Sequence, residues 1–155
     1  MILLAEGNPL NSSALIFPIL ECLHIAGFGL TVGTIALVDF RLLGRGVTGG
    51  TVQELAKEMA PWTLFGLVIM LLTGPAMFSS DPDMYYLNWA FIFKMIFLLA
   101  AITFNYTVHK KVSSAGGPAE KTKWVAYVSM LLWCAVVFGG IFIGFLNSTL
   151  DFGKI

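Results

Sequence analysis

ALIFPILECLHIAGFGLTVGTIALVDFRLL, residues 14–43, is long enough to cross a bilayer and is apolar except at Glu21, His24, Asp39 and Arg41. A membrane-spanning helix needs about 20 predominantly apolar residues. Three further stretches qualify, at roughly 61–79, 87–109 and 122–147. The 155-residue chain is 57% hydrophobic and 12% charged, with a mean hydropathy of +0.84. A membrane barrel would instead show alternating segments of about ten residues. The fold class expected is therefore an all-α integral membrane protein. It is a single domain over 1–155, a four-transmembrane-helix bundle surrounded by lipid. The net charge is zero, and no basic surface suggests nucleic acid.

The basic residues set an orientation. Arg41, Arg45 and Lys57 flank or fill the first connection, and Lys110, Lys111, Lys121 and Lys123 surround the third. The second connection, SSDPDMYYLN, carries Asp81 and Asp83 and no base. Lys and Arg favour cytoplasmic loops, so both termini are expected outside, N-out and C-out. The N-terminal MILLAEGNPLNSS lacks a basic n-region and a small-residue cleavage site, and reads as retained. A multi-pass protein of a bacterial inner membrane is the expectation.

Connection one (44–60) opens with the flexible run GRGVTGG and continues TVQELAKEMA. Thr51 followed by Glu54 has the spacing of a capping box. Val52, Leu55, Ala56 and Met59 share one helical face, which predicts a short interfacial helix between spans one and two. Pro61 then opens span two at a first helical position. Trp62, Tyr85, Tyr86 and Trp89 read as aromatic belts at the two interfaces. Gly74-Pro75 predicts a kink. Gly29 with Gly33, and Gly140 with Gly144, have the spacing that lets helices approach closely. Cys22 and Cys134 lie in spans, form no CxxC pair, and read as small packing residues.

Function begins with the ionisable residues at bilayer depth, because such groups are costly there and normally face the protein interior. Spans one and three run in the same direction. His24 and Lys94 each lie six residues in from Pro18 and Asn88, at roughly 9 Å of depth. Glu21 is one turn above His24. Asp39 and Arg41 on span one stand level with Asn105 and His109 on span three. The polar groups thus form an outer and an inner layer. Lys94, Ala101 and Asn105 share a stripe, whereas Arg41 points away from that of Glu21 and Asp39 and belongs at the interface.

A neutral imidazole is a common protein ligand of haem iron, and helical bundles place cofactors between facing helices. His24 is the favoured axial ligand, with Gly27 a turn away leaving room for a flat ring. His109 lies fifteen residues deeper, about 22 Å by helix rise, so it would serve a second, inner haem. Lys94, Glu21 and Asn105 are the remaining cofactor-binding candidates, for propionates or protons. Met77, Met84, Cys22 and His24 are soft or borderline ligands that would suit Cu(I).

The runs ECLHIAGFGLTVGTIALVDFRLLG (21–44), PWTLFGLVIMLLTGPAMF (61–78), NWAFIFKMIFLLAAITFNYTVHK (88–110) and LLWCAVVFGG (131–140) resemble an uncharacterised family of bacterial four-span inner-membrane proteins. In layout the chain is also similar to the group containing copper-resistance protein D and the HemJ-type protoporphyrinogen oxidases. Those oxidases pair a first-span histidine with a lysine on a later span and bind b-type haem. That resemblance implies such roles for His24 and Lys94. The expected function is a haem b protein for electron transfer or redox chemistry on a quinone-like or porphyrin partner. The alternatives are a non-enzymatic membrane scaffold, associating as a homo-oligomer, and a small transporter, including a copper transporter.

Overall fold

The computed structural model describes residues 8, 10, 13–45, 50–115 and 119–151, with side chains left aside at 119–121 and 146–151. Most of the N-terminal segment, and 46–49 of the glycine-rich run, lie outside the described residues. Among the described residues there are helices and no strands. The helices are α1 (Ile16–Leu42), α2 (Val52–Ser80), α3 (Pro82–Tyr86), α4 (Trp89–Phe104), α5 (Lys110–Ala115) and α6 (Ala119–Asp151). Asn105–His109 forms a π-helical turn that joins α4 to α5. Four helical rods are long and apolar enough to cross a membrane: α1, α2, the α4–π–α5 rod and α6.

Two helix pairs make the bundle. α1 lies along α2, and α4 lies along α6. The pairs are joined by α1 against α6 and by α2 against α5. Because α5 follows His109, the second of these contacts ties the pairs together at the His109 end. The central core is Ile35, Leu67, Met70, Leu98, Ala101, Trp133 and Val136. Many large apolar side chains face outward on every rod, including Leu72, Leu99, Leu131 and Phe145. In water such a surface would be unstable, whereas in a bilayer it meets hydrocarbon.

Local chemistry sets the ends of the rods. Gly44, at φ 73°, takes the left-handed conformation that closes α1. Thr51 caps α2 with the expected reciprocal pair. Its hydroxyl accepts from Glu54 N at 3.2 Å, and Glu54 Oε2 accepts from Thr51 N at 2.7 Å. The segment predicted as a separate interfacial helix is helical but is continuous with span two. Pro61 and Pro75 both lie inside the single 29-residue helix α2. Pro61 is thus an interior residue and not a first helical position. The preceding turns, capped at Thr51, were already wound before the proline was reached. Asn88 caps α4, accepting from Ala90 N at 2.9 Å, and its amide donates to the Ile143 carbonyl of α6 at 3.1 Å.

The glycines divide differently from the sequence spacing. A Cβ on Gly66 would fall 2.6 Å from the Gly27 carbonyl oxygen, and one on Gly27 would fall 2.9 Å from that of Gly66. Gly27 therefore sets the α1–α2 crossing and does not leave room for a planar ring. Gly139, which the spacing did not single out, holds α4 against α6, with a Cβ there 3.0 Å from Lys94 Cβ. Gly29, Gly33 and Gly144 have nothing within 4 Å of an added Cβ. Cys22 and Cys134 are exposed and face away from the bundle instead of packing within it.

Candidate functional site

The two polar layers read from the sequence are present, and each gathers residues from several rods. At the His24 end a cavity of about 830 Å³ opens between the helix pairs. Glu21, His24 and Lys94 line it together, with Met77, Met84 and Tyr85. Its walls are chiefly apolar, and its volume falls in the range of about 300–1,000 Å³ typical of small-molecule and cofactor sites.

His24 is held by a residue the sequence analysis missed. Its Nδ1 lies 2.8 Å from Thr73 Oγ1. The Thr73 hydroxyl donates its single proton to the Ile69 carbonyl at 2.8 Å. Thr73 Oγ1 is then the acceptor and His24 Nδ1–H the donor, which leaves Nε2 of the neutral ring with its lone pair. The ring lies over Gly74, where a Cβ would come within 3.3 Å of Cε1. Thr73 and Gly74 thus act as a pair, one orienting the imidazole and the other making room for it. The only sequence signal was a threonine beside Gly-Pro in an apolar span, and nothing in it pointed toward span one.

Lys94 is half-buried on α4, its ammonium above Gly140, 3.8 Å from where that residue's Cβ would lie. No hydrogen bond or ion pair reaches it among the described residues, and it lines the same cavity as His24. Tyr85 is 8% exposed and packs against Phe78 and Phe91, at centroid distances of 6.0 and 5.5 Å. It is a wall of the cavity, not a member of an interfacial belt. Tyr86 and Trp89 are exposed as the belt reading expects. Burial, then the Glu21 and Asp81 carboxylates, push the Tyr85 phenol above its ordinary value, so it stays protonated and can donate.

The other layer is paired within the protein. Asp39 is 1% exposed and His109 5%, and His109 Nε2 lies 2.7 Å from Asp39 Oδ1. Asp39 therefore pairs across the bundle with His109 and not with Arg41, whose guanidinium instead donates to the Gly50 carbonyl in the first connection. Ser129, also 1% exposed, sits beside the same carboxylate. The π turn carries both Asn105 and His109, and its wider winding re-aims His109 relative to a straight α-helix. Thr107 Oγ1 donates to the Thr103 carbonyl at 2.6 Å, satisfying an acceptor where the backbone register changes. Ordinary helical periodicity carries no signal for this turn.

Among the described residues no group of three or more His, Cys, Asp or Glu side chains could hold a metal ion. Met77, Met84 and His24 line one cavity, but Cys22 is exposed and is not among its lining residues.

Residues 15–146, most of the chain, match the model of a family of unknown function, DUF6644. The chain belongs to this family. The match begins just before α1 and ends within α6, so it takes in all four rods and both polar layers. No curated protein and no solved structure matches it.

Proposed function

We propose that this DUF6644 protein binds one b-type haem in the cavity at the His24 end, with His24 Nε2 as axial ligand, and uses it in electron transfer or membrane redox chemistry. The observation that carries the reading is the Thr73 contact. An imidazole whose Nδ1–H is tied to a fixed oxygen presents Nε2 to a metal in a set orientation, the arrangement second-shell partners give metal-bound histidines. The cavity is apolar, as a porphyrin face requires, and the Lys94 ammonium supplies a cation for a propionate. Tyr85 and Glu21 add a hydrogen-bond donor and a charge at the rim. A bound haem would supply a one-electron carrier, and the chain's own groups hold it, exclude water and set its orientation. The layout read as similar to HemJ-type proteins agrees with this pairing of histidine and lysine. His109 is left out, because the cavity it lines has about 420 Å³, half the volume of the one at His24.

The test is an optical spectrum of detergent-purified protein after haem-supplemented expression. A Soret band that is lost in His24→Ala and weakened in Thr73→Val is expected. A colourless preparation would sink the proposal. The positive-inside pattern further supports a bacterial inner membrane and an N-out, C-out orientation, checked by cysteine labelling from either side of sealed cells.

A second reading rests on Gly29, Gly33 and Gly144, which no neighbouring helix covers. Small residues on an outward face suit self-association of a membrane scaffold. Cross-linking in membranes that is abolished by Gly29→Leu with Gly33→Leu would favour it.

A further inference from the structure

A second cavity, of about 420 Å³, lies at the His109 end between α2 and the α4–π–α5 rod. Its chemistry differs from that of the first. Asn105 and His109 line it, and both are more than nine-tenths buried, at 8% and 5% exposed. Among the described residues the Asn105 side-chain amide has no hydrogen-bond partner, and neither does Nδ1 of His109, whose Nε2 is held by Asp39. Neither atom is among the fully enclosed unpaired polar atoms, which are Asp83 Oδ1 and Ser129 Oγ. The two groups therefore reach open space. Polar side chains buried this deeply are normally satisfied, so a pair left open toward one cavity points to a ligand that completes them. The remaining walls include Ile35, Val38 and Met59, and the exposed Lys57 and Lys110 stand at the mouth.

We propose that this cavity is a binding site for the headgroup of a quinone in its reduced form, a neutral lipid-soluble ring whose hydroxyls both donate and accept. The Asn105 amide donates to one ring oxygen, and Nδ1 of His109, whose Nε2–H is given to the Asp39 carboxylate, accepts from a ring hydroxyl, while the apolar walls take the rest. Neutrality follows from Asp39. Its carboxylate stands directly behind His109, so an anion driven to the floor of the cavity would meet a like charge. The volume suits one ring and the start of one chain, not a two-chain lipid. The π turn has a role in this arrangement, since it brings Asn105 and His109 to the same wall. The site stands apart from the haem proposal, because no residue lines both cavities and the two histidines differ in depth by about 22 Å of helix rise.

The experiment uses the full chain in nanodiscs, titrated under reducing conditions with a benzoquinol carrying one isoprenoid unit and followed by calorimetry. Saturable binding of one molecule per chain is expected. Asn105→Leu removes the amide without touching the Asp39–His109 pair and should weaken binding about tenfold, about 1.4 kcal/mol. Ala60→Phe fills the cavity from its wall and should abolish binding. Binding that neither variant changes, or simple partition with no saturation, would overturn the proposal. So would a co-purifying anionic phospholipid that Lys57→Gln with Lys110→Gln releases and the quinol does not displace. The Soret band is read on the same samples, so the haem and quinone proposals can fail independently.

Discussion

The two polar layers are made of similar residues, each with one histidine, one acid and a partner on the third rod, yet they are built to opposite ends. At His109 the acid and the imidazole meet at 2.7 Å, and only the far side of the ring reaches a cavity, the smaller of the two. At His24 the imidazole is bound to a hydroxyl, the acid Glu21 is exposed, and Lys94 has no partner among the described residues. The first arrangement is neutralised within the protein. The second keeps a lone pair and a charge directed into a cavity. Residue type alone therefore does not show which groups of a polar layer are left for a ligand. What decides it is which of them satisfy one another.

The sharpest way to break this contrast is to remove one partner from each layer. His109→Ala strands the Asp39 carboxylate and should cost about 3–5 kcal/mol of stability, the range for a broken buried ion pair. His24→Ala loses one hydrogen bond in a half-open site and should cost about 1 kcal/mol. Reversible unfolding in mixed micelles measures both, and equal costs would erase the distinction. A smaller effect is expected along the α1–α2 seam. Gly66→Ala places a methyl against backbone atoms that cannot yield and should cost about 1–3 kcal/mol, whereas Gly33→Ala, with open space around it, should be near neutral. Reversal of that order would mean that the open glycine face is covered in the membrane.

Two further substitutions sharpen the comparison at the His24 end. Thr73→Val should leave the fold intact but lower haem retention by roughly 10- to 100-fold, the usual effect of losing a second-shell partner. Spectral titration with haem reads this directly, and unchanged retention would place His24's orientation elsewhere. The smallest effect is at the start of α2. Thr51→Ala removes the capping hydroxyl and should cost about 1 kcal/mol without altering either cavity.

Much of this is legible in the sequence. Four apolar stretches, each bounded by polar or glycine-containing connections, became four rods, and the Thr51–Glu54 spacing became a capping box. Helix rise placed His24 level with Lys94, and Asp39 level with Asn105 and His109. These readings rest on local periodicity, and depth along a rod is a local quantity. The errors came where a neighbour decided the outcome. Pro61 was expected to start a helix that in fact began at the cap before it. Tyr85 was read as interfacial, and the packing of Phe78 and Phe91 drew it inward. Gly27 was assigned to a cofactor and belongs to the α1–α2 crossing.

The sequence by itself determined that this chain is helical, that it presents four bilayer-length apolar rods, and that its ionisable residues fall at two depths. Composition and a fixed rise per residue suffice for that. Only the tertiary structure decided which rod faces which, and hence that His24 finds Thr73, that Asp39 finds His109 and that Lys94 finds no hydrogen-bonding partner among the described residues. Azimuth between helices depends on close approach at particular residues, Gly66 and Gly139 above all, and on a π turn that shifts everything after it. Those are contacts between segments distant in the chain, and no single segment encodes them.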